Sequence, residues 1–131
     1  MNVNVLVVDD EVTVAHVVTR VLQRAGHDVV SVVDPLEAVT LLQDSPCDVL
    51  VTDRHMPVLS GEQLVRAARR LRPHLGIVMM TADPDESLLH ELQLDALVSK
   101  PFSSLAHLVL ATRNAFDAHH AARLEEAPGR Q

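Results

Sequence analysis

The chain is short of most of what would tie a protein to a membrane, an oxidising compartment or a nucleic acid. It has one cysteine, Cys47, in 131 residues, so no internal disulfide is open to it. The N-terminus lacks the charged-then-apolar layout of a signal peptide, and the longest apolar runs are too short to span a bilayer. A cytoplasmic location is therefore expected. Cations are scarce as well: 11 Lys and Arg stand against 18 Asp and Glu, a formal net charge of −7 with His neutral. That argues against direct nucleic-acid binding, because phosphate backbones are held by basic patches. The local cationic group Arg66, Arg69, Arg70 and Arg72 falls at the end of an expected helix, where cations are favourable beside the last carbonyls. The 4 glycines make no phosphate-cradling loop, and no metalloprotease signature or Ser-His-Asp arrangement is evident. Repeats and low-complexity segments are absent too.

What is present is a single domain's worth of chain, 47% apolar with a mean hydropathy of +0.14, in which two periods alternate. Val3–Val8, Asp28–Val33, Val49–Thr52, Gly76–Thr81 and Ala96–Ser99 read as strands, the near-continuous apolar ones fitting a parallel sheet covered on both faces. Between them run helical stripes: Val14, Val17, Val18, Val21, Leu22 and Ala25; Ala38, Leu41 and Leu42; Leu64, Ala67, Ala68 and Leu71; Leu88, Leu89 and Leu92; and Leu105, Leu108, Val109, Thr112 and Phe116. Gly26 closes the first helix, and Asp34-Pro35-Leu36-Glu37 opens the second. Ser60 and Gln63 have capping-box spacing, and Asp83-Pro84-Asp85-Glu86 reads as another cap, proline and acid start. The last helix is expected from about Ser103 to Phe116. From about Ala118 onward the pattern weakens, and a frayed helix end and flexible tail over 118–131 are expected. Strand alternating with helix gives a doubly wound α/β fold, a five-stranded parallel sheet in the flavodoxin-like order 2-1-3-4-5 with five helices.

That order sets strands one and three side by side, and both end abruptly in acid. Asp9, Asp10 and Glu11 follow the first, and Asp53 closes the third. Two carboxylates about 5 Å apart repel by roughly 3 kcal/mol at an effective dielectric near 20. A helix N-terminus offsets only about 0.3–1 kcal/mol per charge. A divalent cation that prefers oxygen, most simply Mg²⁺, answers the excess and leaves positions open for a phosphate. Strand four ends in Thr81 and strand five in Lys100. Each residue alone has an ordinary reading as a cap, a turn or a solvated charge. Together they make a metal site and a phosphoryl-binding site with a nucleophile between them. Cys47, with no His or Cys partner at ligand spacing, reads as packing, and His119 and His120 as surface residues.

Asp9-Asp10, the Asp53-x-x-Met56-Pro57-x-x-Ser60-Gly61 run, Thr81-Ala82 and Lys100-Pro101-Phe102 together resemble the receiver domain of two-component response regulators. The resemblance implies a receiver domain over 1–117 that takes a phosphoryl group on Asp53 from a histidine kinase, a phosphotransfer protein or a small phosphodonor. It implies Mg²⁺ held by Asp10, Asp53 and the backbone carbonyl of His55, with Asp9 acting directly or through water. Lys100, Thr81 and the Ala82 amide would meet the phosphoryl oxygens, and the Lys100-Pro101 peptide would be cis. The protein is then a signalling phosphoacceptor rather than an enzyme in the usual sense, and its helix 4, strand 5 and helix 5 surface would rearrange for an output partner or for homodimerisation.

The chain departs from the family at Leu97, where an aromatic usually swings between two positions; Phe102 and Phe116 are its only aromatics. His55 and Asp83 stand where the family tunes acyl-phosphate lifetime, and a His55–Asp83 contact partly covering the site is expected from that. Two other classes compete. A phosphate-independent interaction module fits the loss of the aromatic at Leu97. An Mg²⁺-dependent aspartyl phosphohydrolase shares the Asp nucleophile, but such enzymes place a second Asp two residues on, where this chain has His55 after Asp53 and Glu11 after Asp9.

Overall fold

Residues 2–102 and 104–126 are described in the structure, a computed structural model. The elements alternate as β1 (Asn4–Val8), α1 (Val12–Arg24), β2 (Asp28–Val32), α2 (Pro35–Asp44), β3 (Val49–Asp53), α3 (Gly61–Leu71), β4 (Gly76–Thr81), α4 (Ser87–Glu91), β5 (Ala96–Ser99) and α5 (Leu105–Glu126). All strand pairs are parallel and the order is β2-β1-β3-β4-β5, as the alternation of periods predicts. Val5 to Val8 pair with Val49 to Thr52, which sets the carboxyl ends of β1 and β3 level with each other.

Successive strand residues feed opposite cores, the consequence of a period of two in a sheet covered on both faces. Leu6, Val8, Leu50, Ile77 and Met79 pack with Ala38, Leu42, Leu64, Val65, Ala68 and Leu88 of α2, α3 and α4. Val5, Val7, Val49, Val51, Val78 and Met80 pack with Val18, Leu22, Leu108, Ala111, Ala115 and Phe116 of α1 and α5. With so few aromatics, branched aliphatics and methionines fill both layers. Four residues of the expected stripes, Val17, Ala25, Leu71 and Leu105, are more open than their spacing suggests, and Val65 is buried on α3 instead.

The helix boundaries follow their caps. Gly26, at φ 98, closes α1 by donating to Gln23 O while His27 N–H donates to Leu22 O, a Schellman ending. Asp34 caps α2 through Leu36 N–H, and Ser60 with Gln63 forms the capping box of α3.

Two boundaries differ from the sequence expectation. The cap position of α4 is Glu86, which makes no side-chain cap bond, and it is Asp85 rather than Asp83 whose Oδ1 accepts from both the N–H and the hydroxyl of Ser87 in the first turn. And α5 does not fray near Ala118 but continues as helix to Glu126. What holds the extension is polar. His119 Nε2 lies 2.9 Å from Asp95 Oδ1, Arg123 Nε lies 3.5 Å from Asp48 Oδ1, and Arg123 also covers the Phe116 ring and donates to Phe116 O and His74 O. Ser103, where the helix was expected to start, and residues 127–131 of the expected tail lie outside the described residues.

Candidate functional site

The site is built where the buried strands run out. β3 is buried along its whole length, so Asp53 is carried on a rigid rod and is itself only 6% exposed. Asp9 follows β1 directly and is fully buried, and Asp10 is the most open of the three carboxylates. One oxygen from each of Asp9, Asp10 and Asp53 lies within 4.8 Å of the others, so the group could hold a metal ion. The donors are all carboxylate oxygen, the set a hard divalent cation prefers over zinc or copper.

Lys100 reaches the same point from β5. Its Nζ donates to Asp9 Oδ2 at 2.8 Å and Asp53 Oδ1 at 3.1 Å, and stands 3.8 Å from Glu11 Oε1. The Lys100-Pro101 peptide is cis, as the resemblance implies. Asp9 is further fixed by the Glu11 N–H, which donates to its Oδ1 at 2.9 Å. Burial raises the Asp53 carboxyl above the ordinary carboxylate range; the Lys100 hydrogen bond pulls it back, and the Asp9 charge adds to the rise. Burial also works against the Lys100 ammonium and is its largest single influence. The bonds to Asp9 and Asp53 and their charges together outweigh it, so the ammonium is held above its ordinary value. One cation shared among Asp9, Asp53 and Glu11, with Asp10 alongside, leaves the site short of positive charge.

Thr81 ends β4 at 1% exposure, and its Oγ1 accepts from Asp83 N–H at 3.0 Å. Ala82, next to it, is exposed and lines an apolar groove of about 420 Å³ with Val14, Val17, Lys100, Pro101 and Phe102. Leu97 is half-buried against the α2, α3 and α4 core.

His55 is exposed in the loop after β3, and the contact expected between it and Asp83 is replaced by another. Asp83 is held by Arg54, whose Nη1 donates to the Asp83 carbonyl at 2.8 Å and lies 3.8 Å from its carboxylate, while Nε reaches Glu62 Oε2 at 3.2 Å. The reason is direction: Arg54 leaves β3 on the side of β4 and α3, and its long side chain spans the gap. Sequence reasoning passed over Arg54. Its position beside Asp53 was the signal, but nothing in the sequence names its partners.

The backbone around Asp53 admits no slack. A Cβ on Gly61 would sit 2.2 Å from the Asp53 carbonyl oxygen and 2.8 Å from Arg54 Cα, so the first turn of α3 can press on this segment only because residue 61 is glycine. Between them, Val58 has φ 73 and Leu59 N–H donates to Pro57 O at 2.8 Å, a tight γ-turn in the left-handed region.

Comparison with known proteins agrees with this geometry. The family model described as response regulator receiver domain matches residues 5–113. The alkaline phosphatase synthesis transcriptional regulatory protein PhoP of Bacillus subtilis (strain 168) is 34% identical over 106 residues, which are 79% of this chain and 44% of PhoP, so the chain spans less than half the length of that relative. Among solved structures, the Vibrio cholerae chemotaxis protein CheY4 superposes with a TM-score of 0.81 at 27% identity, over 88% of this chain and 99% of that one. A Francisella response regulator receiver domain gives 0.80 at 27%, over 89% and 98%. Because the matched span runs through all five strands and most of the helices between and after them, the chain belongs to the response regulator receiver domains of two-component signalling.

Proposed function

We propose that this receiver takes a phosphoryl group on Asp53. The observation that carries the reading is the Asp53 carboxylate held 3.1 Å from Lys100 Nζ at the edge of a carboxylate cluster short of positive charge. An Asp53 carboxylate oxygen forms the new O–P bond as the bond from phosphorus to the donor's nitrogen or oxygen breaks, and the leaving group keeps the electron pair. Asp10, Asp53 and the His55 carbonyl would hold Mg²⁺, with Asp9 behind them. When bound, the ion supplies positive charge against one phosphoryl oxygen. Lys100 neutralises a second oxygen, and the Thr81 hydroxyl with the Ala82 amide takes the third. Rate then comes from in-line positioning rather than from covalent help by the protein.

The apolar groove of Val14, Val17, Pro101 and Phe102 opens beside Lys100 and suits the approach of a histidine kinase or phosphotransfer protein carrying the phosphoryl group. The new dianion draws Thr81 and Lys100 inward and shifts the population of the α4, β5 and α5 surface toward a form read by an output partner or a second copy. With Leu97 in place of an aromatic, that shift runs through aliphatic packing against α4. The receiver is read as a signalling phosphoacceptor that works in the cytoplasm. Among the described residues no helix is long and apolar enough to cross a membrane.

Intact-mass measurement after incubation with acetyl phosphate tests the reading. One added phosphoryl group is expected in the wild type with Mg²⁺. None is expected without Mg²⁺, nor in Asp53→Asn. An adduct on the Asn variant would move the acceptor elsewhere, and a folded, Mg²⁺-binding wild type that takes up nothing from this donor or from a kinase would favour a phosphate-independent module.

A further inference from the structure

Arg54 lies outside the carboxylate cluster and reaches the loop carrying Thr81. Its main chain is fixed on both sides, donating to Met80 O at 3.0 Å and accepting from Gly61 N–H at 2.7 Å. Its side chain, 15% exposed, is therefore a lever with an immobile base. One arm rests on Glu62 in the first turn of α3; the other donates to the Asp83 carbonyl. The N–H of the same Asp83 donates to Thr81 Oγ1, so this residue is held at both ends, by Arg54 and by Thr81.

We infer that Arg54 is a positioning residue that clamps the β4–α4 loop in its resting place and so opposes the move of Thr81 onto a bound phosphoryl group. The inference rests on the phosphoacceptor reading of Asp53. For Thr81 to turn to a phosphoryl oxygen, its hydroxyl must give up the Asp83 N–H, and the loop must follow or lose that bond. While Arg54 holds the Asp83 carbonyl, the loop cannot follow without breaking a charge-assisted hydrogen bond. The bond to the carbonyl is the working contact. The Asp83 carboxylate, 83% exposed and 3.8 Å away, adds little in solvent. A guanidinium is required, since its planar fork serves Glu62 and the carbonyl together, and a lysine ammonium serves one of them.

The sign separates this from simple electrostatics. Removing a cation near an anion site weakens anion binding if charge alone matters; removing a clamp on the resting loop strengthens it, because the competent form is more populated. The test is titration of the Mg²⁺-loaded protein with beryllofluoride, a phosphoryl stand-in, followed by NMR of the Thr81 methyl and the Asp83 amide. Arg54→Met is expected to bind about tenfold tighter than wild type, a shift of about 1.4 kcal/mol. Arg54→Lys should move the same way, and Asp83→Ala, which keeps the carbonyl, should stay within about twofold of wild type. In the unliganded Arg54→Met protein, the Asp83 amide should exchange faster and the Thr81 methyl should shift toward its beryllofluoride-bound position. Equal or weaker binding by Arg54→Met, with Asp83 exchange unchanged, overturns the clamp. If neither protein takes up beryllofluoride, the phosphoacceptor reading fails on its own, and Asp83 exchange alone decides the clamp, unchanged exchange overturning it.

Discussion

The two ends of the sheet use the same residue type for opposite ends. Where the strands start, Asp48 accepts from Asn4 N–H at 2.9 Å and pairs with Arg123 at 3.5 Å. Asp95 accepts from Ile77 N–H at 2.8 Å, meets His119 at 2.9 Å and lies 3.8 Å from Arg69. Arg72 adds bonds to Leu42 O and Ser45 O, tying α3 to α2. Asp48 and Asp95 thus each have a backbone donor and an arginine nearby. Where the strands finish, Asp9, Asp10 and Asp53 share Lys100, and Glu11 competes for it. A carboxylate with its partners supplied is a fastener; a carboxylate short of them is a receptor for whatever positive charge arrives. The fold supplies partners to Asp48 and Asp95 at one end and leaves Asp9, Asp10 and Asp53 short of them at the other, so charge added at the second end does not draw on the fasteners of the first.

The comparison predicts opposite signs for the same substitution. Asp95→Asn keeps an acceptor for Ile77 N–H but strips the negative charge facing Arg69, whose half-buried guanidinium keeps the Pro73, Leu75 and Gln93 carbonyls and loses its anionic partner, a costly change. A loss of about 2 kcal/mol is expected from urea unfolding midpoints, with weakened protection of the α5 extension in hydrogen exchange. A change under about 0.5 kcal/mol, the size of an exposed pair, would mean that the base is not fastened this way.

Asp53→Asn, at the other end, removes a buried charge that burial and Asp9 both disfavour, while Lys100 keeps Asp9. In Mg²⁺-free buffer it is expected to stabilise the fold, read as a higher urea midpoint, because the charge that burial and Asp9 disfavour is gone. Excess Mg²⁺ should erase the difference, because the wild type then gains by binding. The pH dependence carries the same information. A carboxyl whose folded pKa is raised binds its proton more tightly folded than unfolded, so stability grows as pH falls through that raised pKa, until the unfolded carboxylates near pH 4 are protonated too. Lys100, also raised, contributes stability that is complete below its unfolded value and is lost only as pH climbs through its higher folded one. Between neutrality and about pH 4, the Mg²⁺-free wild type should therefore gain on Asp53→Asn as the solution is acidified. Parallel curves would mean that Asp53 is not strained by its surroundings.

The receptor end was far more legible in the sequence than the fastened end. Asp9, Asp10, Asp53, Thr81 and Lys100 are short steps from strands whose apolar runs fix where they stop, so the order of the strands is enough to bring them together. The base is held by long side chains whose partners lie far off in sequence: Arg72 finds Leu42 and Ser45, and Arg123 finds Asp48. Periodicity carries no trace of such pairs. That is why α5 looked finished near Ala118, where apolar spacing gives way to polar anchoring. Arg54 escaped for the same reason: Glu62 and Asp83, its partners, lie 8 and 29 residues away in sequence.

Strain, the smallest of the expected effects, is also divided between the ends. The base has positive φ at Gly26, where glycine adopts it freely, and at Gln93, φ 53, inside the ordinary left-handed well. The site end has it at Val58, a β-branched residue with φ 73 that is 84% exposed and so gains little from packing. Such a conformation costs about 1–3 kcal/mol, and glycine in its place gives back about 0.5–1 kcal/mol as chain entropy. Val58→Gly should therefore stabilise the protein by about 1 kcal/mol, read as a higher urea midpoint. The γ-turn stands between Asp53 and the start of α3, both already fixed by the contact of Gly61 with the Asp53 carbonyl. Relief of the strain should consequently leave beryllofluoride affinity unchanged. A change in affinity would mean instead that the strained valine helps to set the position of the Asp53 carboxylate, and that the receptor end holds its geometry by tension as well as by charge.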